Sequence, residues 1–158
     1  MRVLGIDPGF DRLGMAVLEG DPSRPTFVWS ECVLPAKGEA AERLSTVYRR
    51  TSEVIHEYSP HVLAIETLFF STNKKTALQV AEARGAILAA AGNAGIQVRE
   101  FSPGTVKLAV TGHGSADKAA IARMIPHLIT LPKKKRLDDE LDAIAVAIAG
   151  LSARLQGR

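Results

Sequence analysis

One cysteine, Cys32, stands in the whole chain of 158 residues. A disulfide within the chain and a cysteine-built zinc site are both excluded. Cys32 falls in the strand-like run FVWSECVLP and reads as a small core residue. Long apolar runs are missing too. None approaches the roughly 18 residues of a membrane span. MRVLGID meets an acid at position 7, where a secretory leader would be apolar, so a cytoplasmic protein is expected. There is no internal repeat, low-complexity segment or linker, and KKKR at 133–136 is the one like-charge run. The four histidines, His56, His61, His113 and His127, lack ligand spacing. His56, His61 and His127 read as surface or helix-end residues, and His113, between two glycines, is a candidate to approach a phosphate.

What is present suits one globular domain, residues 1–158, with 46% apolar residues and a core of useful size. A net charge of +3 and a pI near 9.2 are compatible with a nucleic-acid partner without requiring one.

RVLGID reads as a buried strand, PGFDR as a turn, LGMAVLEG as a second strand and TFVWSECVL as a third. The period then changes. Leu44, Val47, Thr51, Val54, Ile55 and Tyr58 recur at helical spacing, and Pro60 follows the stop. HVLAIE is a fourth strand, NKKTALQVAEARGAILAAAGNAG a long helix closed by glycines, and IQVREF a fifth strand. Short helices are expected at PGTVKLAV and SADKAAIARMIPHLI, and a last one in LDDELDAIAVAIAG. A three-strand meander followed by two αβ units predicts an α/β fold with a five-stranded mixed sheet and helices on both faces.

Asp7 ends the first strand and Glu66 the fourth. If those strands are parallel neighbours, both carboxylates leave the same sheet edge, where open α/β sheets place their ligands. The plainer reading is a strand-end acid that reaches water. A third group of acids heads the last helix. Asp139 and Asp142 are three apart, so they share a helical face with Cβ atoms about 5–6 Å apart. Capping accounts for Asp138 or Asp139, but not for Asp142, which lies past the cap. Which of Asp138 and Asp139 partners Asp142 stays open on spacing alone. Carboxylates without histidine or cysteine make an all-oxygen site, the chemistry of Mg2+ or Mn2+. A pair of such ions serves phosphodiester hydrolysis.

The runs GIDPGFDRLGMAV, AIETLFFSTNKKTALQVAEARGAI, SPGTVKLAVTGHGSADKAAIARMI and DDELDAIAVAIA, taken together over nearly the whole chain, resemble the RuvC family of Holliday-junction resolvases. The resemblance implies an RNase H-like fold and a homodimeric endonuclease that nicks four-way DNA junctions symmetrically with Mg2+. It implies that Asp7, Glu66, Asp139 and Asp142 are catalytic metal-binding acids, leaving Asp138 as cap or bystander. It further implies cooperation with the RuvA–RuvB branch-migration machinery. Phe69 matches a family phenylalanine near the junction centre, where stacking on an unpaired base suits an aromatic ring. Lys107 and Lys118 flank a glycine-rich turn and match basic positions suited to phosphates. Lys74, Lys75 and KKKR are weaker candidates of that kind. Phe10 and Ile144 depart from the family's usual residues. Glu140, between the two aspartates, is expected near the metals or in water.

Two rival readings are a junction-binding module without catalysis and a phosphotransferase of the actin-like type. The first is disfavoured by the presence of all four acids. The second needs two lobes to enclose ATP, and 158 residues supply one. The nearest rival within the fold is a relative acting on RNA or on another structure.

Overall fold

The computed structural model describes residues 1–68 and 74–153. Its strands are β1 (Arg2–Asp7), β2 (Leu13–Asp21), β3 (Arg24–Val33), β4 (Val62–Glu66) and β5 (Gln97–Phe101). Its helices are α1 (Ala40–Tyr58), α2 (Lys74–Asn93), α3 (Pro103–Thr111), α4 (Lys118–Leu128) and α5 (Asp138–Ser152). The strands form one sheet in the order β3-β2-β1-β4-β5. β1–β2 and β2–β3 are antiparallel, and β1–β4 and β4–β5 are parallel. This is the expected mixed sheet.

Alternation along the strands assigns each residue a side. Leu4, Ile6, Leu63 and Ile65 pack with Val47, Val54 and Ile55 of α1 and Ile87 and Ala91 of α2. Val3, Ala16, Leu18 and Ala64 point the other way, onto α3, α4 and α5. α5 lies across the middle of that second face. Its contacts are built from small residues. A Cβ added to Gly5 would strike the Ala143 carbonyl and the Ala147 backbone, and one at Gly14 would strike the Asp139 carbonyl. A Cβ on Gly150 would come within 2.7 Å of Val3 and 2.8 Å of Ala64. Only this smallness on both surfaces lets the helix backbone sit so near the sheet.

The helix ends follow local chemistry. Ser102 caps α3 by accepting from Thr105 N at 3.1 Å, with Pro103 at the first helical position. Asp117 caps α4 by accepting from Ala120 N at 2.7 Å. α5 departs from expectation: its cap position is Leu137, which makes no side-chain cap bond. Asp138 is instead the first helical residue. There it places charge near the positive end of the helix dipole without capping it. Among the described residues no helix is long and apolar enough to cross a membrane.

Candidate active site

The parity that turns Ile6 and Ile65 toward α1 and α2 turns Asp7 and Glu66 toward α5. They lie one step beyond the paired Ile6 and Ile65, at neighbouring strand ends. After Asp7 the chain reverses through the turn at 8–12. Arg43 of α1 holds that turn, donating to the Phe10 carbonyl at 2.9 Å and to Asp11 at 2.6 Å. Its guanidinium lies 4.3 Å from the centre of the Phe10 ring, which explains an aromatic at this position. Behind Glu66, Arg84 of α2 is buried, pairs with Glu100 at 2.6 Å, and reaches the Glu66 carbonyl at 3.4 Å.

Because α5 is seated so closely, its first turns bring Asp139 and Asp142 to the same place. Asp7, Glu66, Asp139 and Asp142 line one cavity of about 230 Å³ together with Lys107 of α3 and Lys118 of α4. Asp138 is absent from that lining. It faces an adjoining depression between α4 and α5, with Lys118, Leu141 and Asp142. The geometry therefore groups Asp139, not Asp138, with Asp142 and the two strand-end acids.

Four carboxylates in one cavity disfavour their own ionisation. Burial, and then the charges of Asp142, Glu66 and Asp139, push Asp7 up to about 8, with Lys118 opposing. Glu66 is raised in the same way, by burial first and Asp142 next. Lys118 Nζ donates to Asp142 at 2.7 Å, and this bond raises the lysine above its ordinary value. Arg12 Nη1 lies 3.4 Å from Asp139. Among the described residues, no three His, Cys, Asp or Glu side chains already close into a shell around an ion. Two of the acids are instead held by these protein cations. The donor set still fits a hard divalent cation: it is all oxygen and partly buried, and a cation would relieve the burial and mutual repulsion that raise Asp7 and Glu66.

Of the residues singled out in the sequence, Asp7, Glu66, Asp139, Asp142, Lys107 and Lys118 meet in this cavity. Phe69 lies outside the described residues. Three other expectations are corrected. Cys32 is only half-buried and belongs beside the site. It pairs with Gly14 across the β2–β3 ladder, and burial and the Asp139 charge push its thiol up to about 11. Glu140 neither joins the acids nor reaches water: it is 4% exposed and held by Ser30, Lys134 and Arg136. KKKR is accordingly split, with Lys134 and Arg136 paired to Glu140 and Lys133 and Lys135 exposed. Arg12 and Arg84 went unassigned in the sequence. For Arg12 the available signal was its place at the end of the turn that follows Asp7.

A mixed sheet in this order, with acids at two adjacent strand ends and two more on a helix across them, defines an RNase H-like nuclease. Residues 3–150 match the family model described as "Crossover junction endodeoxyribonuclease RuvC". The RuvC protein of Moorella thermoacetica is 41% identical over 153 residues, covering 96% of this chain and 92% of that protein. That of Alkaliphilus oremlandii is 42% identical over 149 residues, covering 94% and 91%. Thermus thermophilus RuvC, solved in complex with a Holliday junction substrate, superposes with a TM-score of 0.88 at 34% identity, covering 94% and 92%. Yeast mitochondrial Ydc2 shares the fold, with a TM-score of 0.71 at 14% identity, covering 94% of this chain and 77% of that one. The chain belongs to the RuvC family of endodeoxyribonucleases, whose members depend on metal ions.

Proposed function

We propose that this protein resolves Holliday junctions in recombination and repair, hydrolysing one phosphodiester on each of two opposed strands of four-way DNA. Residues 1–158 act as one nuclease domain, with Asp7, Glu66, Asp139 and Asp142 as the catalytic acids and Mg2+ as the ion. Mn2+ is the expected substitute. The observation that carries this reading is the convergence of four carboxylates and two lysines on one cavity.

When bound, a pair of divalent ions polarises the phosphate and lowers the pKa of water. The protein's own contribution is placement. Asp7 and Glu66 are set by the sheet, and Asp139 and Asp142 by α5, so the four arrive on two rigid supports. Lys118, now on Asp142, is within the same cavity and can transfer its charge to a DNA phosphate. Lys107 lowers the Glu66 carboxyl against the effect of burial and faces the same space. Phe69, by the family resemblance, stacks at the junction centre.

Two opposed cuts call for two sites related by a twofold axis, hence a homodimer. α2 offers a face for it. Leu78 is 63% exposed, and among the described residues nothing lies within 4 Å of a Cβ built at Gly85 or Gly92. Leu78, Gly85, Ala89 and Gly92 fall on one side of the helix. RuvA–RuvB is the proposed cellular partner and the cytoplasm the proposed compartment.

The test is purified protein with Mg2+ on a synthetic four-way junction, a linear duplex and an RNA–DNA hybrid. Paired nicks in the junction alone are expected. An uncut junction sinks the proposal, and a gel shift without nicks would favour the binding module.

A further inference from the structure

Glu140 stands between Asp139 and Asp142, yet it faces away from their cavity. One carboxylate oxygen accepts from Ser30 Oγ at 2.5 Å and meets Lys134 Nζ at 2.7 Å and Arg136 Nε at 3.3 Å. Glu140 and Arg136 side chains are 5% and 7% exposed. Lys134 also donates to the Ser30 carbonyl at 3.0 Å, and Arg136 Nη1 to the Pro132 carbonyl at 3.0 Å. The Arg136 guanidinium lies 5.4 Å from the Phe27 ring centre.

A sheet irregularity makes this cluster possible. Phe27 and Ser30 are three apart, so in a regular strand they would face opposite sides. The β2–β3 register shifts between Val17 and Leu18, pairing Leu18 with Phe27 and Ala16 with Ser30. Leu18 and Ala16 both face α5, so the bulge turns Phe27 and Ser30 to that face together.

Stability is a weak reason for such a cluster. Buried ion pairs are often matched or bettered by apolar residues of similar volume. Here the Arg136 Nη2 atom is also buried without a hydrogen-bond partner among the described residues. What charged, directional contacts supply and apolar ones do not is register. The cluster ties an edge strand and the segment before α5 to the residue lying between two proposed metal ligands.

We propose that Glu140, clasped by Ser30, Lys134 and Arg136, is a positioning residue that sets the register of the first α5 turn. It thereby holds Asp139 and Asp142 in the cavity that Asp7 and Glu66 line. The inference rests on the metal-site reading above. It is tested with Mn2+ alone, following free ion by paramagnetic resonance, and with thermal unfolding of the same samples. The parent binds Mn2+ and Asp7→Asn loses that binding; a parent that fails to bind overturns both readings. Glu140→Gln keeps the shape and removes the charge. Arg136→Met/Glu140→Leu replaces the pair with apolar groups and guards against misfolding. Both are expected to unfold cooperatively yet to bind Mn2+ about tenfold more weakly or worse, in the range seen for residues that orient ligands. Folded variants that bind Mn2+ within twofold of the parent overturn the proposal, even if their unfolding temperature falls.

Discussion

At the scale of the residue, Asp7 is the most perturbed group in the site. Burial and three neighbouring carboxylates raise it to about 8 in the folded protein, from 3.8. The folded state therefore holds a proton that the unfolded chain releases, and stability falls as pH rises between those values. Asp7→Asn removes that penalty. Without metal, its unfolding temperature should exceed the parent's at pH 8, by something of order 5 °C. The difference should vanish near pH 4. Equal curves at pH 8 would mean that Asp7 is ionised without cost. The same group predicts the pH dependence of the ion. Mn2+ must displace the proton, so affinity should rise from pH 6 to pH 8, with proton release measurable in buffers of different ionisation enthalpy.

At the scale of the element, α5 decides whether a site exists. Its carboxylates reach the sheet because Gly5 and Gly14 leave room for its backbone, beside Ala143 and Ala147. Gly5→Ala places a methyl against the Ala143 carbonyl and the Ala147 backbone, neither of which can rotate away. Overpacking of this kind costs about 1–3 kcal/mol. Chemical denaturation should show that loss. Junction nicking by the remaining folded protein should fall further, at least tenfold, because α5 must lift as a unit. Retained nicking at reduced stability would show that the α5 acids tolerate the shift.

At the scale of the whole molecule, the proposed pair of cuts on one junction calls for two copies. Gly85→Glu puts a charge on the open face of α2, which contributes no residue to the lining of the acid cavity. Light scattering should then report a mass near the single-chain 16.9 kDa rather than twice it. Mn2+ binding should stay unchanged while paired nicking is lost. A variant that remains dimeric places the twofold interface elsewhere.

Much of this was legible before any fold was seen. Asp7 and Glu66 each end a buried apolar run, which places both at one sheet edge once β1 and β4 pair in parallel. Helical spacing likewise puts Asp142 on one face with Asp139 or Asp138, without choosing between them. Of the two roles open to Asp138, cap or bystander, it does not take the cap, because cap geometry depends on how the chain enters the helix, and it enters through Leu137. Glu140 was less legible still. Its partners, Ser30 and Lys134, come from a strand more than a hundred residues away and from a neighbouring loop, and a β-bulge turns Ser30 toward it.

The chain by itself determined the alternation, the breaks and the residue chemistry: which strands are buried, where acids end them, and that no nitrogen or sulfur ligand set is present. Those depend on local periodicity and side-chain type. Only the tertiary structure decided which acid joined which. It chose Asp139 over Asp138, gave Asp142 to Lys118, and drew Glu140 into the core. Each of those outcomes turns on the close approach of α5 to the sheet, an arrangement set by contacts between residues far apart in sequence.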